Sequence, residues 1–302
     1  MLAALSYPPI PIWELGPLRL SLHGVFAGLG FVAGAWLMVR AAQRRGFDAE
    51  AIQSVLTWAL VAAILGARFF TIPAHIGEAG YGLGDALSLG GDYSILGGYA
   101  GGVIGGTWRM RALGLNVAAY LDLAAAGMAI GAVVGRIGDV IIVEHLGSPT
   151  NFFLGYQTKP GWEIAPQHRR LIDLCDAGTT CGPYHHTGLY DMLGALVLLS
   201  VLVWLAKNWK TARYGQLFGA WAAWYGLQRF FIDFTRLRAA EEGTRQVIAD
   251  AVIGPFTGSQ WGALMVAALG IGYILWSRRN PVVSPENDVA LGAVRVGEPE
   301  PT

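Results

Sequence analysis

The chain has 302 residues, of which 54% are apolar and 14% charged, and its formal net charge is zero. A soluble domain averages about 25% charged residues, so this composition, with a mean hydropathy of +0.44, points to a membrane protein. The charge balance offers no basic surface for nucleic acid. No HExxH pair, phosphate loop, dinucleotide fingerprint or GxSxG elbow occurs, so neither a metal nor a cofactor is expected.

The chain starts MLAALSYPPIPIWELGPL, without the basic n-region and long apolar core of a cleavable signal. The first apolar span is therefore expected to act as its own targeting signal. Seven spans near the length of about 20 residues that a bilayer requires are expected at 20–39, 52–73, 95–112, 118–142, 188–206, 215–234 and 260–277. Arg40, Arg44 and Arg45 follow span one, Arg109 and Arg111 close span three, Lys207, Lys210 and Arg213 follow span five, and Arg278 and Arg279 close span seven; the connection 74–93 carries no Lys or Arg. By the positive-inside rule these alternate basic connections are cytoplasmic. The expected fold is an all-α integral membrane protein of about seven transmembrane helices, with the N-terminus outside and the C-terminus cytoplasmic. Residues 143–187 form a polar outer head within a transmembrane domain covering 1–279. The tail 280–302, polar and proline-bearing, is expected to be a disordered cytoplasmic segment. Cys175 and Cys181 both fall in the head. On the outer side a disulfide between them competes with two free thiols.

Four polar or glycine-rich features interrupt this apolar pattern. The third span reads GGYAGGVIGG, so Gly97 and Gly98 begin a glycine stripe that recurs every four residues. Such a stripe serves tight helix packing or a groove wall that lets a lipid reach the backbone. At the end of span four, GRIGDVIIVEHLG places Arg136, Asp139 and Glu144 within nine residues. Arg136 and Asp139 are three apart on a helix and can touch, either as a pair locking two helices or as part of an anion clamp, since a guanidinium fork matches phosphate oxygens. Span six ends WYGLQRFFIDFTR, where Arg229, Asp233 and Arg236 share one helical face at the same membrane end as Arg136. Two arginine-bearing helix ends at one depth make a candidate lipid-headgroup site. The island YHHTGLYD opens span five with His185 and His186, a proton acceptor near neutral pH or an interfacial residue with a satisfied hydrogen bond.

Taken together these blocks resemble the prolipoprotein diacylglyceryl transferase family, over roughly residues 12 to 279 and in the same order. The family block GRxGNFxNxExxG is similar to GRIGDVIIVEHLG, keeping Arg136, Glu144, Gly135, Gly138 and Gly147. HPSQLYE is similar to HHTGLYD, keeping His185, Leu189 and Tyr190, with Asp191 for Glu. YGxxRxxxExxR is similar to YGLQRFFIDFTR, keeping Tyr225, Gly226, Arg229 and Arg236, with Asp233 for Glu. Gly66 and Arg68 match a GxR near the end of span two, and Gln260 an SxGQ-like start of the last span.

There are departures: Leu96 stands where the family has the His of an HGG motif, Asp139 and Ile142 replace asparagines, and His23 takes the place of a tyrosine. The resemblance implies a multi-pass enzyme of the bacterial inner membrane. It would transfer a diacylglyceryl group from phosphatidylglycerol to the lipobox cysteine of a prolipoprotein, or to another acceptor. The alternative is a non-catalytic lipid-binding or lipid-transport protein on the same fold. On this reading Arg136, Arg229, Glu144, His23 and His185 are catalytic, with His23 or His185 as the base in place of Leu96. Asp139, Gly97, Gly98, Gly147, Tyr190, Asp233, Arg236 and Arg68 would bind substrate.

Overall fold

The computed structural model describes residues 4–10, 13–15, 18–20, 22–72, 84, 94–143, 145–159, 181–208, 213–236 and 252–279. Seven long helices appear among them: α1 (Leu22–Gln43), α2 (Ala49–Phe69), α3 (Ile95–Ala112), α4 (Val117–Ile142), α5 (Thr187–Asn208), α6 (Gln216–Asp233) and α7 (Gly258–Arg279). Each lies on one of the spans expected from the sequence. Five of them, α1, α2 from Glu50, α4, α5 and α7, are long and apolar enough to cross a membrane. Polarity separates the other two: α3 carries its glycines with Arg109 and Arg111, and α6 carries Gln216, Gln228, Arg229 and Asp233.

Many helical side chains that face outward are large and apolar, among them Ile104 at 68%, Leu269 at 66% and Trp204 at 62% exposure. A helix that presents such residues outward and small or polar ones inward is built for a lipid solvent, where backbone groups must be satisfied inside the helix.

The described chain divides into two compact units, one from 1–36 with 124–282 and one from 37–123. In the second unit the glycine stripe has a packing role. Asp48 caps α2 by accepting from the Glu50 amide at 2.8 Å, and Ser94 caps α3 by accepting from the Gly97 amide at 3.1 Å. A Cβ on Gly97 or Gly101 would run into the backbone of Gly66 or Ala62, whereas one on Gly98 or Gly102 would meet only ordinary contacts with Ala67 and Ala63 at 3.5–3.6 Å. One row of the stripe thus brings α2 and α3 to backbone contact. Glycine costs a helix about 1 kcal/mol per residue relative to alanine, and that close packing is what the sequence gains in return.

The first unit uses the same device twice. Gly30 and Gly34 of α1 meet Gly131 and Gly127 of α4, and Gly219 and Gly226 of α6 meet Gly270 and Ala263 of α7. Its strands are short. β1 (Trp13–Leu15) pairs antiparallel with β2 (Leu18–Leu20), and β6 (Val252–Ile253) with β7 (Phe256–Thr257).

The head holds a three-stranded antiparallel sheet in the order β3 (Leu146–Pro149), β5 (Tyr184–His186), β4 (Gly155–Tyr156). Leu146 faces His186 in this sheet, and Tyr156 faces Tyr184. Residues 4–10 join it: the Leu5 amide donates to Gly155 O at 2.8 Å and the Gln157 amide to Leu5 O at 2.9 Å. Val143, Leu146, Tyr156 and Cys181 form its buried core. Cys181 is disulfide-bonded; the chain's other cysteine, Cys175, lies outside the described residues, as does the tail 280–302. The expectation of a helical protein therefore holds, with strand among the described residues in pieces of two to four residues.

Candidate active site

The last turns of α4 carry a cluster of charge. Arg136 and Asp139, one turn apart, are joined through Arg136 Nη1 and Asp139 Oδ2. The second arm of the guanidinium reaches across to α5, where Nη2 lies 2.7 Å from Asp191 Oδ2. The other oxygen of Asp139, Oδ1, is joined to Nδ1 of His23 on the first turn of α1. His145 Nε2 lies 4.0 Å from Asp139 Oδ2, and its ring stands edge-on to that of His23 at 6.5 Å between centroids.

Gly138 explains the close approach of α1. A Cβ there would collide with Leu22 O and His23 Cα, so only glycine lets the start of α1 lie against α4 and bring His23 to Asp139. The Asp139 side chain is 1% exposed, that of Arg136 12% and that of His23 38%. Ions buried this far are tolerated only when paired and hydrogen-bonded. One guanidinium here serves two carboxylates, which leaves one negative charge to the two histidines or to cations beyond them.

A second group sits at the end of α6. Arg229 Nη2 lies 3.5 Å and Arg236 Nε 3.8 Å from Asp233 Oδ1. Asp233 also accepts from Thr257 Oγ1 at 2.6 Å and from Ser259 Oγ at 2.9 Å, which ties α6 to the start of α7. Tyr225, two turns before Asp233 on the same helix, interacts electrostatically with Arg136 and Asp191 as well as with Arg229 and Arg236. Tyr225 thus lies within electrostatic reach of both arginine clusters.

The head closes over the ends of these helices. Gly147 permits β3 to lie on the turn that follows α6, where a Cβ would collide with Thr235 O; the Ser148 amide donates to that same carbonyl at 2.8 Å. The turn between α4 and β3 is strained: Val143 has φ 56° and His145 φ 61°, rare values for side chains of this kind. The His145 carbonyl is held there by the Thr187 hydroxyl. Strain of this type persists where surrounding contacts fix it, often at functional sites.

The two neighbouring histidines differ. His185 Nδ1 pairs with Tyr190 Oη at 3.1 Å, and burial holds its imidazole below the ordinary value. His186 is fully buried, and burial pushes it down to about 4. Tyr7 Oη donates to Val140 O at 2.6 Å, so at 2.7 Å it accepts from His186 Nε2–H. The Nδ1 of His186 has no hydrogen-bond partner among the described residues. Burial likewise raises the Tyr7 and Tyr156 hydroxyls.

His23, Arg136 and Asp139 thus come together in one cluster, and Arg229, Asp233 and Arg236 in a second. His185, Tyr190 and Gly147 belong to the head. Gly97 and Gly98 lie on α3, with Gly97 at the α2 contact, and Arg68 lies in the last turn of α2. Glu144 lies outside the described residues. Three members were not on the sequence's candidate roll: Asp191, His145 and Tyr225. Each lies inside a quoted motif, so position was the available signal; the contacts themselves depend on helix packing and, for His145, on the strained turn. Among the described residues no group of three or more His, Cys, Asp or Glu is placed to hold a metal ion.

Comparison with known proteins adds an independent line. The family model described as prolipoprotein diacylglyceryl transferase matches residues 11–276. A protein of Frankia alni is 30% identical over 304 residues, covering 97% of this chain and 73% of the relative. One of Geobacillus kaustophilus is 32% identical over 226 residues, covering 74% and 79%. One of Mycobacteroides abscessus is 26% identical over 255 residues, covering 80% and 72%. All three are named phosphatidylglycerol–prolipoprotein diacylglyceryl transferase.

Proposed function

The chain belongs to the prolipoprotein diacylglyceryl transferase family, and from that membership we propose that it transfers the diacylglyceryl group of phosphatidylglycerol to the cysteine thiol of a prolipoprotein lipobox. The enzyme is a membrane transferase of lipoprotein maturation. Its acceptor thiol gives its proton to a base, the sulfur bonds to the glyceryl carbon that carries the phosphate, and that carbon–oxygen bond breaks. Glycerol 1-phosphate leaves with one more negative charge than the phosphate bore in the lipid. The proton on the base balances it.

Two demands follow: fixed cations for the leaving phosphate and a base for the thiol. Arg229, Arg236 and Arg136 meet the first. Preorganised donors in a dry site act on developing charge with no reorganisation cost. His23 meets the second, because a thiolate is the stronger nucleophile and His23 is bonded to a buried carboxylate. His185 is the weaker choice, since burial holds its basicity down and Tyr190 occupies its Nδ1. Glu144, kept in the family block, remains a catalytic candidate by motif. Tyr190, Asp233, Gly147, Arg68, Gly97 and Gly98 are carried as substrate-side candidates on the same ground. The observation that supports the reading is the buried cluster in which Asp139 joins His23 to Arg136.

We further propose seven spans with the N-terminus outside, on the strength of the arginine distribution, in the bacterial inner membrane. The head would then face the compartment where prolipoproteins emerge, which suits the disulfide at Cys181.

The test is turnover by purified protein in phosphatidylglycerol-containing micelles with a lipobox peptide, read as glycerol 1-phosphate released. Arg229→Ala should lower kcat on the order of 10²–10³-fold, as loss of one charge-stabilising donor does. His23→Ala should lower it about 10²–10⁴-fold. Undiminished turnover in His23→Ala would remove His23 as the base.

A further inference from the structure

His23 does not stand alone. Its Nδ1 is joined to Asp139 Oδ1, Asp139 Oδ2 is joined to Arg136, and Arg136 Nη2 is held by Asp191 Oδ2 at 2.7 Å. The four side chains form a chain of contacts across α5, α4 and α1. Asp139 is its most buried member, at 1% exposure. A carboxylate accepts hydrogen bonds and donates none. Its bond to Nδ1 therefore requires the proton to be on Nδ1, which leaves the lone pair on Nε2. Gly138 permits this arrangement, because any Cβ there would push the backbone of His23 away from α4. On the motif resemblance given above, both members of the pair are also positions where this chain departs from the family pattern, with His23 for a tyrosine, Asp139 for an asparagine and Leu96 for a histidine.

We propose that Asp139 is a positioning residue for the transfer reaction. It fixes His23 in the tautomer whose Nε2 takes the lipobox thiol proton, and Arg136, braced by Asp191, fixes Asp139 in turn. This rests on the reading of His23 as the base. The proton passes from sulfur to Nε2, Nδ1 keeps its own, and Asp139 faces the imidazolium so formed. Among the described residues, the charged and titratable groups of this cluster include Asp139 and Arg136 from α4, His145 from the turn that follows, and Asp191 from α5.

The test uses the full chain in phosphatidylglycerol-containing micelles and reads kcat/KM for a lipobox peptide from pH 5 to pH 9. Wild type should lose activity on an acidic limb as His23 takes a proton. In Asp139→Asn the imidazolium loses its negative partner, so the limb moves to lower pH. The plateau falls by about tenfold or more, because an amide can also hold the other tautomer. Asp139→Glu should return the limb toward its wild-type position. The shift must persist in a His145→Gln background, which assigns it to His23. A fallen plateau with an unmoved limb would reduce Asp139 to a structural role and overturn the proposal, while the base reading would stand. An active His23→Ala protein with the same limb would overturn the base reading itself. A measurement independent of variant folding is the 15N spectrum of histidine-labelled wild type. His23 Nε2 should resonate as an unprotonated ring nitrogen at neutral pH, and a protonated Nε2 paired with a bare Nδ1 would overturn the proposal.

Discussion

Arg136 carries two obligations at once. It braces Asp139 and Asp191, and the proposed chemistry asks it to face a phosphate. Removing it leaves two buried carboxylates without their cation, a loss typically of about 3–5 kcal/mol when a buried pair is broken. Arg136→Ala is therefore expected to lower both thermal stability and turnover. Arg136→Lys keeps the charge but lacks the planar fork that reaches α4 and α5 together; it should retain more of the melting temperature than of kcat, and parallel losses would contradict the double role. His186 gives a second prediction. Its folded value of about 4 lies below the ordinary 6.5, so the folded head binds fewer protons than the unfolded chain between those values. Its contribution is present in full above pH 6.5 and lost as pH falls through 4, with an amplitude of about 3 kcal/mol. His186→Gln, which keeps an N–H for Tyr7, should flatten the dependence of melting temperature on pH over that window. At this scale the i, i+3 contact of Arg136 with Asp139 was legible from spacing. The Asp191 contact was not, because 55 residues separate it from Arg136 and only the packing of α5 on α4 brings them together.

Glycine does different work in different elements. In α3 it allows contact with α2, so Gly101→Leu, whose Cβ would enter the backbone of Ala62, should separate the two helices and destabilise the protein by about 1–3 kcal/mol. Gly102→Ala meets only Ala63 at 3.5 Å and should be tolerated. Equal melting temperatures for the two variants would contradict the packing role. The four-residue repeat of glycine made this stripe visible in the sequence, and of its two readings the structure supplies the packing contact. The strands of the head were not visible. Pieces of two to four residues are too short for an alternating pattern to register, and their register depends on Gly147 meeting the end of α6.

Hydropathy located the seven long helices of the described residues to within a few residues, because a lipid solvent leaves a buried backbone few alternatives to helix. Five helices meet the demand of a span by length and apolarity alone; for α3 and α6 the polar content that weakens the signal belongs to packing and to the site. The proposed topology predicts that a reporter active only in the cytoplasm functions when fused after Arg279 and fails in the head. The reverse pattern would contradict the orientation. What motif spacing conveyed about the whole site was its two arginine-bearing helix ends; that Asp139 joins His23 to Arg136 required the folded chain.

The most direct measurement is mass spectrometry of a lipobox peptide incubated with purified protein and phosphatidylglycerol. A thioether-linked diacylglyceryl adduct is expected on the cysteine, absent when that cysteine is serine and formed far more slowly in His23→Ala. Phosphatidylglycerol bound in an Arg136-dependent way, with no adduct at any pH, would contradict the transferase reading and leave a lipid-binding protein in its place.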